Sequence, residues 1–164
     1  MKSLLPAVAH SRVARRLFAL FVLSAFLPLA IIGILIAISV PIFERYIEKG
    51  RVVEATVTIG DLQKAIHDYE VSKGFLPDDL SDIGQAGKLD PWNTPYEYLN
   101  LRNLKGNGKA RKDKNLAPLN SDYDLYSDGK DGQTHPSLAN SVSRDDVVRA
   151  RDGRFIGLAE EFDP

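Results

Sequence analysis

The residues best suited to chemistry in this chain are the carboxylates of Asp128-Gly129-Lys130-Asp131-Gly132 and the Asp145-Asp146 pair that follows the loop 133–144. A calcium ion takes six to eight oxygens at about 2.3–2.6 Å, from carboxylates and from turn carbonyls. Asp131 sits inside a turn-rich stretch whose backbone carbonyls can point inward. Asp145 or Asp146 then returns to complete a cage. The spacing is not that of an EF-hand, because Lys130 occupies the third position, where Asp or Asn is needed. A competing reading makes the same acids turn formers and helix caps: Asp-Gly pairs favour turns, and Ser143 is placed to cap a helix containing Asp145 and Asp146. The residues alone leave both readings open.

Other chemistries find few residues. There are no cysteines, which excludes disulfides and thiolate metal sites. His10, His67 and His135 are scattered, and His67 has Val71 at i+4 where a second ligand would stand. No serine elbow accompanies them, and Gly106-Asn107-Gly108-Lys109 lacks the spacing of a phosphate-binding loop. Lys105 to Lys114 is basic but has no aromatic residue and belongs to an acidic region, so it reads as a solvated loop and not as a nucleic-acid surface. Trp92, between Pro91 and Pro95, reads as a packing anchor lying across a helix face. The expectation is a protein without catalytic activity.

The elements that must position the acids begin with an unusual stretch. Of 164 residues, 43 are formally charged, yet none lies in the 27 residues from Leu17 to Phe43. As a helix this run would measure roughly 40 Å, more than the about 30 Å of a bilayer core. Lys2, Arg12, Arg15 and Arg16 give the segment before it a charge of +4, and residues 44–164 sum to −5. The bias predicts a cytoplasmic N-terminus with the remainder in a periplasm or its equivalent. Three regions result: a basic leader 1–16, a transmembrane helix 17–43 and a folded domain 44–164. A cleaved secretory signal is the alternative, with Ala37-Ile38-Ser39 offering small residues.

Periodicity argues against that alternative, because the helix pattern continues beyond the membrane. Val52, Ala55, Ile59, Leu62, Ile66 and Tyr69 mark one face. Pro28 and Pro41 should bend the helix, and Gly74 followed by Pro77 should end it. The expected helix has about 50 residues, half in lipid and half amphipathic. Leu76 to Leu80 reads as a turn into a short helical segment. Strands are expected at 94–101, 121–127 and 154–159. The fold class is α+β, a long N-terminal helix packed on a small antiparallel sheet.

Several segments together carry a resemblance. Ile32-Gly33-Ile34-Leu35-Ile36-Ala37-Ile38-Ser39-Val40-Pro41 resembles the membrane half of type IV pilins and type II secretion pseudopilins, and residues 46–55 resemble that family's helix as it leaves the bilayer. Asp90-Pro91-Trp92-Asn93-Thr94-Pro95-Tyr96-Glu97-Tyr98 resembles the DPWGxPYxY signature of the major pseudopilin. Tyr123 to Gly132 resembles its FSxGxDG calcium-loop segment, and Asp145-Asp146-Val147-Val148-Arg149 stands where the family has a second acidic element. The resemblance covers roughly residues 30–160.

It implies a pilin-like fold and a calcium site with Asp131 and one of Asp145 and Asp146 as side-chain ligands, the Asp128 carbonyl contributing. It also implies an inner-membrane location and self-assembly with other pseudopilins on a secretion platform. Gly33 and Pro41 lie in the assembly helix. Counting back from Pro41 places cleavage by prepilin peptidase between Ala19 and Leu20, where the family has Gly and then Phe. Ser24 falls where the family has a glutamate that pairs with a neighbour's terminal amine. This departure leaves an uncut, permanently anchored form as an alternative. The implied function is a structural subunit of a type II secretion filament. The alternatives are a minor type IV pilin and a non-polymerising periplasmic binding module on a membrane anchor.

Overall fold

The computed structural model describes residues 6–163 other than 105, 107 and 115, with side-chain environments from residue 14 onward apart from residues 23 and 25. Lys2, Lys105 and Asn107, and the side chains of His10 and Arg12, lie outside the described residues. The chain divides into two compact units, Met1–Ile47 and Glu48–Pro164.

One helix, α1 (Pro6–Lys73), is 68 residues long and passes through Pro28 and Pro41. It starts well before the uncharged run, so the expected 50 residues were too few. Pro6 stands at the first helical position, where a missing N–H costs nothing. The Ala- and Arg-containing leader that follows has good helix propensity. In the first unit Phe18, Phe21, Ile34, Leu35, Ile38 and Phe43 are each more than half exposed. By length and composition this helix is able to cross a membrane, and none of its apolar window is buried within the chain.

The second unit has an α+β layout. Ala55, Ile59, Leu62 and Ile66 of α1 are buried, with Val52 packed against them, as the stripe predicts. The helix ends as expected: Gly74 has φ +84° and donates its N–H to Glu70 O at 2.7 Å. A 3-10 turn, Leu80–Ile83, follows behind a capping box formed by Asp79 and Asp82.

Four strands then form one sheet in the order β1 (Glu97–Asn100), β2 (Tyr123–Ser127), β3 (Val147–Ala150) and β4 (Phe155–Leu158), every neighbour antiparallel. Tyr98 faces Leu125 across the first pair, and Val148 faces Gly157 across the last. β1, β2 and β4 lie inside expected strands. β3 was not expected, and it replaces the helix that Ser143 was to cap. Ser143 instead belongs to a 3-10 turn, Ser141–Ser143, capped by the Asn140 side chain. Val147-Val148 is β-branched, and all of β3 is buried, so no apolar–polar alternation marks it.

β2, β3 and β4 send side chains to two small cores on opposite faces, and β1 to the first alone. Tyr123, Leu125 and Val147 join the helix stripe. Val148 and Ala150 join Leu119, Leu138 and Ala159 on the opposite face, with Tyr126, Phe155 and Phe162 against them.

Candidate functional site

The loop before β1 is organised by one buried carboxylate. Asp90 Oδ1 accepts the backbone N–H groups of Trp92 and Thr94, both at 2.9 Å, and the Asp90 N–H donates to Thr94 O at 2.8 Å. Asn93 closes the turn at φ +70°. It stands where the resembled signature has glycine, and asparagine is one of the few other residues that visits this region routinely. The Asp90 Oδ2 accepts the hydroxyl of Ser127, which is fully buried at the end of β2. Ser127 Oγ in turn accepts the N–H of Gly129 at 3.1 Å. The two motifs, separate in sequence, are one hydrogen-bonded unit in space.

Gly129 brings the acidic loop against the second acidic element. It has φ +67°, and a Cβ there would lie 2.2 Å from the Asp145 carbonyl oxygen. Gly129→Ala therefore combines left-handed strain with a collision against backbone, which has no rotamer by which to retreat. The expected loss is about 2–4 kcal/mol of unfolding free energy, read by denaturant melts of the full chain in detergent. A loss under about 0.5 kcal/mol would show that the loop is free to move away.

Asp145 Oδ2 accepts the Asp131 N–H at 3.0 Å, and Asp131 Oδ1 accepts the Gln133 N–H at 2.8 Å. Asp131 is exposed and Asp145 half-buried. Asp146 is fully buried and differently engaged: its Oδ2 accepts from the Arg111 guanidinium and from the Thr134 hydroxyl. Burial pushes the Asp146 carboxyl up, and the Arg111 charge offsets this only in part. Oδ1 of Asp146 and Oδ1 of Asp128 are buried with no hydrogen-bond partner among the described residues. The acids singled out in the sequence are thus linked pairwise: Asp145 faces Asp131 and Gly129 of the loop, while Asp146 is committed to Arg111.

Asp128 shows the strain of this gathering. Its carboxyl is pushed from an ordinary 3.8 up to about 6, chiefly by burial, then by the nearby Asp146 and Glu97 carboxylates. Between about pH 4 and 6 the folded chain holds this proton and the unfolded chain does not, so stability falls as pH rises through that window. Asp128→Asn removes the effect. In cation-free buffer the variant should gain about 1 kcal/mol on the parent above pH 6, solvent screening of a half-buried group reducing the full effect. Thermal melts across pH 4–7 check this. Parallel pH curves for parent and variant would refute it.

Arg111 is the residue that sequence reasoning missed. It belongs to the basic run 105–114, expected to be solvated, yet it is 3 % exposed. Its N–H donates to Asp124 Oδ2 at 2.7 Å, its Nη1 to Thr134 at 2.6 Å, and its guanidinium lies 4.1 Å from the centre of the Tyr126 ring. No composition signal separates it from its lysine neighbours. On the other sheet face Arg149 makes a bidentate pair with Asp122, at 2.8 and 2.7 Å, and its Nε donates to Gln63 of the helix at 2.8 Å. Arg149 also covers the Tyr123 ring at 3.9 Å.

Trp92 is half-buried against the helix core, as its flanking prolines suggest, and its indole N–H donates to Glu48 Oε1 at 2.9 Å. Ala19, Leu20, Ser24, Gly33 and Pro41 all lie on α1 and are exposed. Ser24 Oγ donates to Phe21 O at 2.8 Å. A Cβ on Gly33 would meet nothing within 4 Å. His67 and His135 are exposed, and His135 Nδ1 accepts the Ser137 N–H.

Among the described residues, no group of three or more His, Asp or Glu side chains gathers as a metal-holding cluster. A calcium loop draws on turn carbonyls as well as carboxylates, and backbone oxygens do not count towards such a cluster of side chains. No family model matches the chain, and neither a curated protein nor a solved structure is similar to it.

Proposed function

We propose that the chain is a pilin-like structural subunit of the type II secretion pseudopilin kind, anchored in an inner membrane with its α+β unit on the periplasmic side. The observation that carries this is the apolar half of α1, whose large side chains are exposed among the described residues. Such a surface is stable in lipid or against copies of itself, and not in water. In the filament the same surface exchanges lipid for neighbouring helices. Asp131 and Asp145, with the Asp128 carbonyl, would hold calcium at the acidic loop. Bound calcium would neutralise carboxylates that otherwise repel one another.

A second reading is favoured by Ser24. Its hydroxyl is satisfied inside the helix by the Phe21 carbonyl, so it needs neither a neighbour's amine nor a charge partner in lipid. That suits a permanently anchored periplasmic module. N-terminal sequencing and gradient sedimentation of the membrane protein separate the two. Filament-sized material with a terminus at Leu20 is the expected result, whereas an intact Met1 on a monomer would overturn the subunit reading.

A further inference from the structure

Two loops meet α1 at one residue. Glu48 Oε1 accepts the Trp92 indole N–H at 2.9 Å, and its Oε2 lies 3.9 Å from Nζ of Lys130 in the acidic loop. Arg51 lies 3.8 Å from the same oxygen. Behind Trp92 the connections are buried and fully used. Asp90, 5 % exposed, gives one carboxylate oxygen to the Trp92 and Thr94 N–H groups and the other to the Ser127 hydroxyl. Ser127, wholly buried, donates its one hydroxyl proton to Asp90 and accepts from Gly129. Gly129 is closely apposed to the Asp145 carbonyl.

We infer that Trp92 and Glu48 report the state of the acidic loop: a divalent cation held there is transmitted through Gly129, Ser127 and Asp90 to the Trp92–Glu48 hydrogen bond on α1. The inference rests on the calcium reading and extends it to residues outside the loop. Coupling of this kind needs an element with two arrangements that both sites bias. We assign that role to the DPWNTP loop, because one carboxylate, Asp90, holds both its backbone and the serine that carries the acidic loop. A cation that draws in the Asp128 carbonyl and the Asp145 carboxylate moves Gly129, and Ser127 and Asp90 follow, since neither has a spare donor. The ion pair from Lys130 is a weaker second link, long and exposed. Ser127, Asp90 and Glu48 are therefore positioning residues and not ligands.

The test uses the full chain in detergent micelles, with calcium alone as the probe. Binding heat, emission from Trp92, which is the one tryptophan, and amide exchange at Trp92 and Thr94 are followed together. The expected result is an emission change that saturates with the heat, and exchange at those two amides slowed by about tenfold. Ser127→Ala should keep the binding heat and lose the emission change. Glu48→Gln keeps an acceptor for the indole and removes the charge facing Lys130, so it should respond like the parent.

Heat without any change at Trp92 or in the two amides would overturn the relay and leave the calcium reading standing. An emission response lost in Glu48→Gln would overturn it in favour of the Lys130 link. Absence of heat would overturn the calcium reading itself and the relay with it. Should Ser127→Ala lose its near-ultraviolet circular dichroism, exchange at the two amides of the parent decides the matter.

Discussion

Asp146→Ala is expected to lower the unfolding free energy by about 3–5 kcal/mol, the cost of leaving a buried cation without its partner. Arg111 is 3 % exposed, and the Asp146 carboxylate that faces it is wholly buried. Water reaches neither group, so removing the carboxylate strands the guanidinium instead of returning it to solvent. Thr134 and Tyr126 would remain beside it, and the Asp124 and Asp128 carboxylates lie near, but neither carboxylate is hydrogen-bonded to the guanidinium. For a domain of this size the loss corresponds to a fall in Tm on the order of 15 °C, read for the full chain in detergent. The double variant Arg111→Met/Asp146→Leu should recover most of it, because an apolar pair of similar volume removes both desolvation costs at once. A single variant within about 1 kcal/mol of the parent would show that water reaches the pair.

Ile34→Asp should abolish assembly while leaving the second unit folded. Ile34 stands in the interior of the uncharged run and is 60 % exposed, as are most large apolar side chains of that run. A carboxylate at the centre of a membrane helix costs about 2.5–3.5 kcal/mol by insertion scales. In lipid that cost is relieved by snorkelling and local water entry, whereas between packed helices that hold no cation it remains in full, so each subunit's contact weakens by about tenfold or more. Ile34→Leu is the control for shape. Filaments of Ile34→Asp at the parent's level, measured by sedimentation from sheared cells, would show that this surface does not carry the assembly. The near-ultraviolet circular dichroism of the variant should match the parent, since Ile34 lies outside the compact unit Glu48–Pro164.

The two experiments fall on parts of the molecule that differ in how far the sequence reveals them. The uncharged run and the helix stripe were legible because a bilayer selects on consecutive residues and a helix face repeats at short spacing. Ala55, Ile59, Leu62 and Ile66 are buried where the spacing puts them. Gly74 ends the helix for a reason equally local, a positive φ that glycine adopts without strain. Glu97–Asn100, which an exposed glutamate begins, and Phe155–Leu158, a short apolar run just after the Asp152-Gly153 turn, also showed. The helix start at Pro6 did not, because hydrophobic pattern says nothing of a leader whose helicity rests on propensity alone.

The acids of the candidate site were legible, and their wiring was not. The sequence located the four acids and the DPW motif, and chemistry required oxygen donors in a turn. Which acid faces the loop depended on partners far along the chain. At the entry to β3 successive side chains point to opposite sides, and Asp146 turns inward to Arg111, 35 residues away. Asp145 is left beside Gly129 and Asp131. β3 itself was invisible for a related reason, since a strand buried on both faces has no alternation to read. The length of the apolar run, the helix face and turn chemistry are properties of neighbouring residues, so the order of residues settled them. The burial of Arg111, the Asp90–Ser127 bond and the division of labour between Asp145 and Asp146 arise from contacts between distant segments, and those existed only once the sheet had closed on the helix.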